Sequence, residues 1–327
     1  MLSRVAESLY WMNRYIERAE NTARFVDVNL RLWLDLPGGA TEQWQSLIDA
    51  SGNDGLFRQR FEHATESTVV AFLTFDADNP NSIMSCLSAA RENARAIRGS
   101  ITSEMWEQIN RLYLTMRTAS SSSHILENPH EFFSEIKMAS HLYGGITDAS
   151  MSHGEGWNFG RLGRLQERAD QTSRILDAMS SGLISADAND RDYSSDIQWS
   201  AVLRAASAFE MYRQRRGRIE SHQIVGFLMF DREFPRSLTH CVRNAQESLE
   251  GITKLASSRS AANPAAVNLG AALLELEAAR PLSENSAIFF QEIINDGLHE
   301  VLSAFQLRLN QFGQELFNQY FGMSRAA

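Results

Sequence analysis

Apolar residues recur along the first thirty positions in alternating steps of four and three: Val5, Leu9, Met12, Ile16, Ala19, Ala23, Val26 and Leu30. That spacing lays a single apolar stripe along a helix of about seven turns, which stops before "DLPGG". Ala19 and Ala23 at its middle would let a partner helix approach closely. A comparable stripe, Leu162, Leu165, Ala169, Thr172, Leu176 and Met179, lies farther along, with Gln166 where the first has Ile16. The pattern predicts two long helices in related but unequal surroundings. Two further windows, "FLTFDADNPNSIMSC" from Phe72 and "FLMFDREFPRSLTHC" from Phe227, each predict a short buried helix, a turn and the next helix. In the first of them Asn79 is the expected N-cap, with Pro80 at the first helical position, where its missing N–H costs nothing.

These windows are copies. "RYIERAENTARFVD" (Arg14 to Asp27) returns 150 residues later as "RLQERADQTSRILD" (Arg164 to Asp177), with seven of fourteen positions identical. The Phe72 and Phe227 windows align at an offset of 155, as do Trp44 with Trp199, Arg60 with Arg215 and Glu92 with Glu247. Two windows at nearly one offset mark an internal repeat. The expected architecture is all-α: a multi-helix bundle of two homologous repeats, 1–143 and 144–327, packed as one compact unit about a pseudo-twofold. Linkers are expected at 35–42, 118–131, 144–156, 180–196 and 256–265.

Composition agrees. Only six prolines occur in 327 residues, and proline breaks helix interiors. With 43% apolar and 22% charged residues the chain has the makeup of a globular protein. A net charge of −9 argues against nucleic acid or anionic lipid as partner. The basic run Arg213, Arg215, Arg216 and Arg218 has no interleaved aromatics and reads as solvated or partner-facing. The apolar runs fall short of the roughly 20 residues that cross a bilayer, and charges at Arg4, Glu7, Arg14, Glu17 and Arg18 leave no signal core. Two cysteines, Cys86 and Cys241, cannot form a disulfide framework. The expected compartment is the cytoplasm.

The repeated charges are the candidate site: Arg14, Glu17, Arg18, Arg24 and Asp27 in the first copy, Arg164, Glu167, Arg168, Arg174 and Asp177 in the second. A solvated face with i,i+3 and i,i+4 pairs accounts for one copy alone. Retention of the cluster in both, while the rest drifted, points instead to pairing across the pseudo-twofold. Glu17 is expected to meet Arg168 or Arg174, and Glu167 to meet Arg18 or Arg24. A third reading is a polar groove in which the guanidinium groups hold an acidic peptide, a nucleotide phosphate or a carboxylate. Secondary candidates are Asp76 and Asp231, expected as caps or arginine partners at helix-to-turn junctions.

No residue set declares itself catalytic. The glycines of "GEGWNFGRLG" precede a helix but follow no strand, so helix entry with tight packing replaces a dinucleotide reading. The histidines at 63, 124, 130, 141, 153, 222, 240 and 299 form no HExxH, and Pro129 interrupts "ENPH", the one Glu-x-x-His spacing. No metal and no cofactor is expected, and both cysteines read as buried inert thiols.

The stretches "LYWMNRYIERAENTAR", "GITDAS…GEGWNFGRLGRLQERADQTSRILD" and "FLMFDREFPRSLTHC" resemble the Alpha-E family of bacterial helical proteins, named for a glutamate–arginine signature. "DADNP" in the first half departs by lacking the Arg of "DREFP". The resemblance implies a gene neighbourhood with a circularly permuted ATP-grasp amide ligase, a transglutaminase-like peptidase and a proteasome-related peptidase. It therefore implies a non-catalytic accessory or binding subunit that partners the ligase in making peptide or amino-acid conjugates. The alternatives are an enzyme of amide or peptide metabolism with a Glu–Arg pocket between the repeats, and a structural homo-oligomer.

Overall fold

The computed structural model describes residues 1–35, 42–120, 128–184, 193–255, 264–278 and 297–322. The described residues form fourteen α-helices and no strand. The first seven are α1 (Ser3–Asp35), α2 (Glu42–Ser51), α3 (Asp54–Arg58), α4 (Glu66–Thr74), α5 (Ile83–Ala96), α6 (Ser103–Ser120) and α7 (Pro129–Ser150). The rest are α8 (Glu155–Ile184), α9 (Tyr193–Ala205), α10 (Phe209–Arg216), α11 (Ser221–Phe230), α12 (Leu238–Leu255), α13 (Pro264–Ala278) and α14 (Leu298–Leu316). None of the described helices is long and apolar enough to cross a membrane.

The long helices α1 and α8 pack along each other at the centre. Against α1 lie α5 and α7; against α8 lie α12 and α14. Helix α2 reaches across to α8, and α9 reaches across to α1. The predicted stripes face this core: Leu9, Met12, Ile16, Ala19, Ala23 and Val26 on α1, and Leu162, Leu165, Ala169, Thr172 and Leu176 on α8, are buried, while Val5 and Leu30 are half-buried at the ends. The side chain of Met179 lies outside the described residues. Trp44 of α2 and Trp199 of α9 are buried beside the long helices, as are Phe72 and Leu73 of α4 and Phe227 and Leu228 of α11.

The glycine-rich entry to α8 explains how the two helices meet. A Cβ at Gly163 would stand 2.3 Å from the backbone carbonyl oxygen of Tyr10, so only glycine admits α1 at this distance. Gln166, which stands where α1 has Ile16, makes polar contacts instead: it accepts from the Tyr10 hydroxyl and donates to the Leu309 carbonyl at 3.0 Å.

Three expectations change. Helix α5 starts at Ile83, capped by Ser82, whose hydroxyl accepts from the Ser85 N–H at 3.1 Å. Asn79 instead closes the preceding turn, donating to the Phe72 carbonyl at 3.0 Å and accepting from the Asn81 N–H at 3.0 Å. The linker at 144–156 shrinks to 151–154, because α7 runs through Ser150 and α8 begins at Glu155. Pro129 opens α7 at its first turn, where its missing donor is harmless, so the chain turns helical at the proline itself. The other expected linkers fall mainly at 36–41, 121–127, 185–192 and 256–263, outside the described residues.

Candidate functional site: a buried Glu–Arg seam

The polar stripe of α1 is not a solvated face. Glu17, Glu20, Asn21, Arg24 and Asp27 are all buried, as are Glu167 and Asp170 on α8. Each helix presents its Glu-Arg dipeptide to the other. Glu17 accepts two hydrogen bonds from Arg168, at 2.8 and 2.9 Å, and Glu167 accepts two from Arg18, at 2.6 and 2.8 Å. Both are forked guanidinium–carboxylate pairs, the geometry arginine's planar head favours. Of the alternatives left open by the sequence, Arg168 and Arg18 are the partners. Arg174 and Arg24 pair within their own helices, with Asp170 at 2.9 Å and with Glu20. One turn beyond each glutamate an amide supports it: Asn21 donates to Glu17 at 3.4 Å and Gln171 to Glu167 at 3.1 Å.

A third charge completes each pair, and here the two differ. Arg14 of α1 donates to Glu167 at 2.9 Å. Its head also donates to the Tyr10 hydroxyl at 3.2 Å and stacks 4.9 Å over the Trp11 ring. Glu17 takes its further bond from Arg236, which reaches in from the turn before α12 at 3.0 Å. Arg236 also donates to Asn21 at 2.8 Å and to Glu20 at 2.8 Å. The equivalent of Arg236 at the 155-residue offset is Asn81, which accepts from Arg18 at 2.5 Å.

These contacts decide the electrostatics. Burial alone would push Glu167 up, but Arg18 and Arg14 outweigh it and hold the carboxyl at about 2. Burial opposes Glu17 likewise, and Arg168 and Arg236 hold it far below the carboxylate range. Arg236 pays the converse: burial and the nearby Arg168 bring it down to about 10 despite Glu17. A general acid or base works best with a pKa near the operating pH. Two carboxylates locked in the ionised form by forked arginines cannot serve in that way; they hold α1 to α8.

Asp27 and Asp177, at the far ends of the stripes, do not pair across the seam. Asp27 is met by Lys137 and His130 of α7, each at 2.5 Å, and Asp177 by His299 of α14 at 2.7 Å. Both histidines stand second in their helices. Asp76 meets Arg60 at 3.0 Å, and its carboxylate accepts from the Asp78 N–H. Asp231 meets Arg215 and accepts from the N–H groups of Glu233 and Phe234 at 2.9 and 2.7 Å. Both aspartates are turn-closing arginine partners. Arg215 is thereby engaged within the basic run, with Glu233 as a second partner at 2.7 Å. Cys86 and Cys241 are buried, and burial pushes each thiol up to about 12. Among the described residues no group of three His, Cys, Asp or Glu side chains is placed to hold a metal ion.

Reading the sequence alone missed Arg236, Gln171, Lys137 and the roles of His130 and His299. Arg236 had a signal: it lies in the repeated window "FLMFDREFPRSLTHC", just after "DREFP", at a position where the first copy carries Asn81. Two polar cavities flank the seam. One, of about 240 Å³, is lined by Asn13, Glu17, His141, Tyr143, Arg164 and Arg168, among others. The other, of about 130 Å³, includes Arg18, Asn81, Asp170 and Arg174 in its walls.

The fold and seam define a class: a protein, all-helical in its described residues, in which two long helices are joined through reciprocal Glu-Arg dipeptides with buried carboxylates. The chain belongs to the Alpha-E family, described as a predicted alpha-helical domain with a conserved ER motif, whose model matches residues 1–321. Uncharacterized proteins of Mycobacterium bovis and of two Mycobacterium tuberculosis strains are each 23% identical to it over 269 residues, 76% of this chain. The match covers 30% of each of those relatives, so the chain spans under a third of their length. No solved structure matches the chain.

Proposed function

We propose that the protein is a non-catalytic, cytoplasmic helical accessory or binding subunit that docks on an ATP-grasp-type amide ligase in the synthesis of a peptide or amino-acid conjugate. A transglutaminase-like peptidase is the second partner in this reading. The observation that carries the non-catalytic part is the closure of the ER motif. Both of its glutamates are buried, forked by arginines from the opposite helix and held ionised. The competing reading, an enzyme of amide metabolism, needs a carboxylate free to exchange a proton near neutral pH, and the motif supplies none. The partner is supported by the family resemblance. It is also supported by relatives in which the matched region is only 30% of a larger polypeptide, as a module of a larger machine would be.

In the same reading the chain is two homologous repeats about a pseudo-twofold, and the seam is its dyad. The matched order of helices supports this, as do the exchanged contacts of α2 with α8 and α9 with α1 and the reciprocal Glu–Arg forks. Residue 143, the expected boundary, lies within α7, so this reading divides the repeats at the break between α7 and α8. Co-expression of the untagged ligase from the same genome with the tagged chain tests the partnership. Co-purification, and a ligase rate that rises when the chain is added, are expected. A ligase that neither binds nor responds would remove the proposed role.

A further inference from the structure

We propose that the 240 Å³ cavity beside Glu17 is a binding site for a small carboxylate, held by the free guanidinium of Arg164. This goes beyond the accessory role and does not depend on which partner the protein has. The argument begins with a comparison of equivalent positions. Arg14 on α1 is saturated by Glu167 and by the hydroxyl of Tyr10, one turn before it. Arg164 is its counterpart on α8, and one turn before it stands Gly160 in place of Tyr10. With no phenol there and Glu17 already forked by Arg168, Arg164 makes no hydrogen bond to any described residue, and its buried Nε has no acceptor. The group lies instead in the cavity wall with Ser140, His141, Tyr143 and Gly144 of α7.

Charge points the same way. Around Glu17, four guanidinium groups, Arg24, Arg164, Arg168 and Arg236, face two carboxylates, Glu17 and Glu20. Burial, with Arg24 and Arg236 nearby, lowers the pKa of His141, so it adds no charge at neutral pH. Arginine does not shed its proton, so the cluster carries a buried positive excess, which an anion would offset. One planar fork is unused, and one carboxylate accepts one fork in a bidentate pair. A dianionic phosphate fits less well, because the forks of Arg168 and Arg236 are already committed to Glu17 and Glu20, whose charges would repel it.

Thermal unfolding of the full chain in sodium acetate, sodium phosphate and sodium chloride at equal ionic strength tests this, with Arg164→Met and Gly144→Leu alongside. A Cβ on Gly144 would sit 3.4 Å from the Arg164 head and meet no paired arginine, so leucine at this cavity-wall position takes up cavity space without removing an ion-pairing residue. Acetate is expected to raise the wild-type midpoint by about 2–4 °C over chloride when well above its Kd. Both variants should lose that rise, and Arg164→Met should be no less stable than wild type in chloride, since it removes an uncompensated charge. An acetate rise that survives in either variant overturns the proposal. So does a wild-type response to phosphate alone or to neither anion, or an Arg164→Met protein that is clearly destabilised in chloride.

Discussion

Glu167 is the most enclosed charge in the molecule's seam, with no exposed surface and bonds from Arg18, Arg14 and Gln171. Glu167→Gln keeps its shape but removes its charge and turns one accepting oxygen into a donor. Arg14 and Arg18 are then left half-buried without a carboxylate. Breaking a buried pair on one side costs about 3–5 kcal/mol. An independent route gives a similar figure: moving a carboxyl from its ordinary value near 4.3 in the unfolded chain down to about 2 stabilises the folded state by about 3 kcal/mol at neutral pH. Because the folded pKa is depressed, that contribution is complete above the unfolded value and disappears as pH falls through the folded one. Urea unfolding of wild type and Glu167→Gln at pH 7 should therefore differ by about 3–5 kcal/mol, with the gap shrinking between pH 5 and pH 2. A difference under about 0.5 kcal/mol at pH 7, the scale of an ordinary surface change, would refute the reasoning. So would a gap that stays constant down to pH 2.

The close approach of α1 and α8 makes Gly163→Ala costly, by about 2 kcal/mol or more in the same urea assay, since the new methyl meets a backbone oxygen. Gly145→Ala, on open helix surface in α7, should be neutral or stabilising by up to about 1 kcal/mol. Cys86 and Cys241 should resist a thiol-specific reagent such as DTNB at pH 8 in the native protein and react fully in denaturant; rapid native labelling would contradict their burial. In an NMR titration, His299 should titrate above the ordinary histidine value, because Asp177 hydrogen-bonds and attracts its charged form. His141 should titrate below it, because burial and Arg24 oppose the charge. The reverse order would contradict both environments.

Much of the helical plan was legible because apolar spacing reports burial directly. The Leu9–Val26 stripe, the short "FLTF" and "FLMF" helices and the glycine entry to α8 all lie where period and context place them. Helix starts were less legible. Asn79 and Ser82 are both able caps, and only the carbonyl of Phe72, seven residues back, decides that Asn79 is used elsewhere. The charged stripe carried the deeper ambiguity. Seen on one helix, Arg14, Glu17 and Arg18 have the pattern of a solvated face. Their place in the seam follows from the second copy, whose Glu167 and Arg168 supply the complementary charges. Local sequence cannot choose among Arg18, Arg24, Arg168 and Arg174 as partners, because Asp170 and Glu20 each compete for the outer arginine. Arg236 was harder still, arriving from a turn more than two hundred residues away to share Glu17 and Glu20.

The reciprocal exchange between α1 and α8 is the claim on which the rest stands, and two double-mutant cycles measure it most directly. Glu17→Gln with Arg168→Met, and Glu167→Gln with Arg18→Met, should each show a coupling energy of about 1–3 kcal/mol in urea unfolding. Additive losses in both cycles, with coupling within about 0.3–0.5 kcal/mol of zero, would mean that the two Glu-Arg dipeptides do not meet.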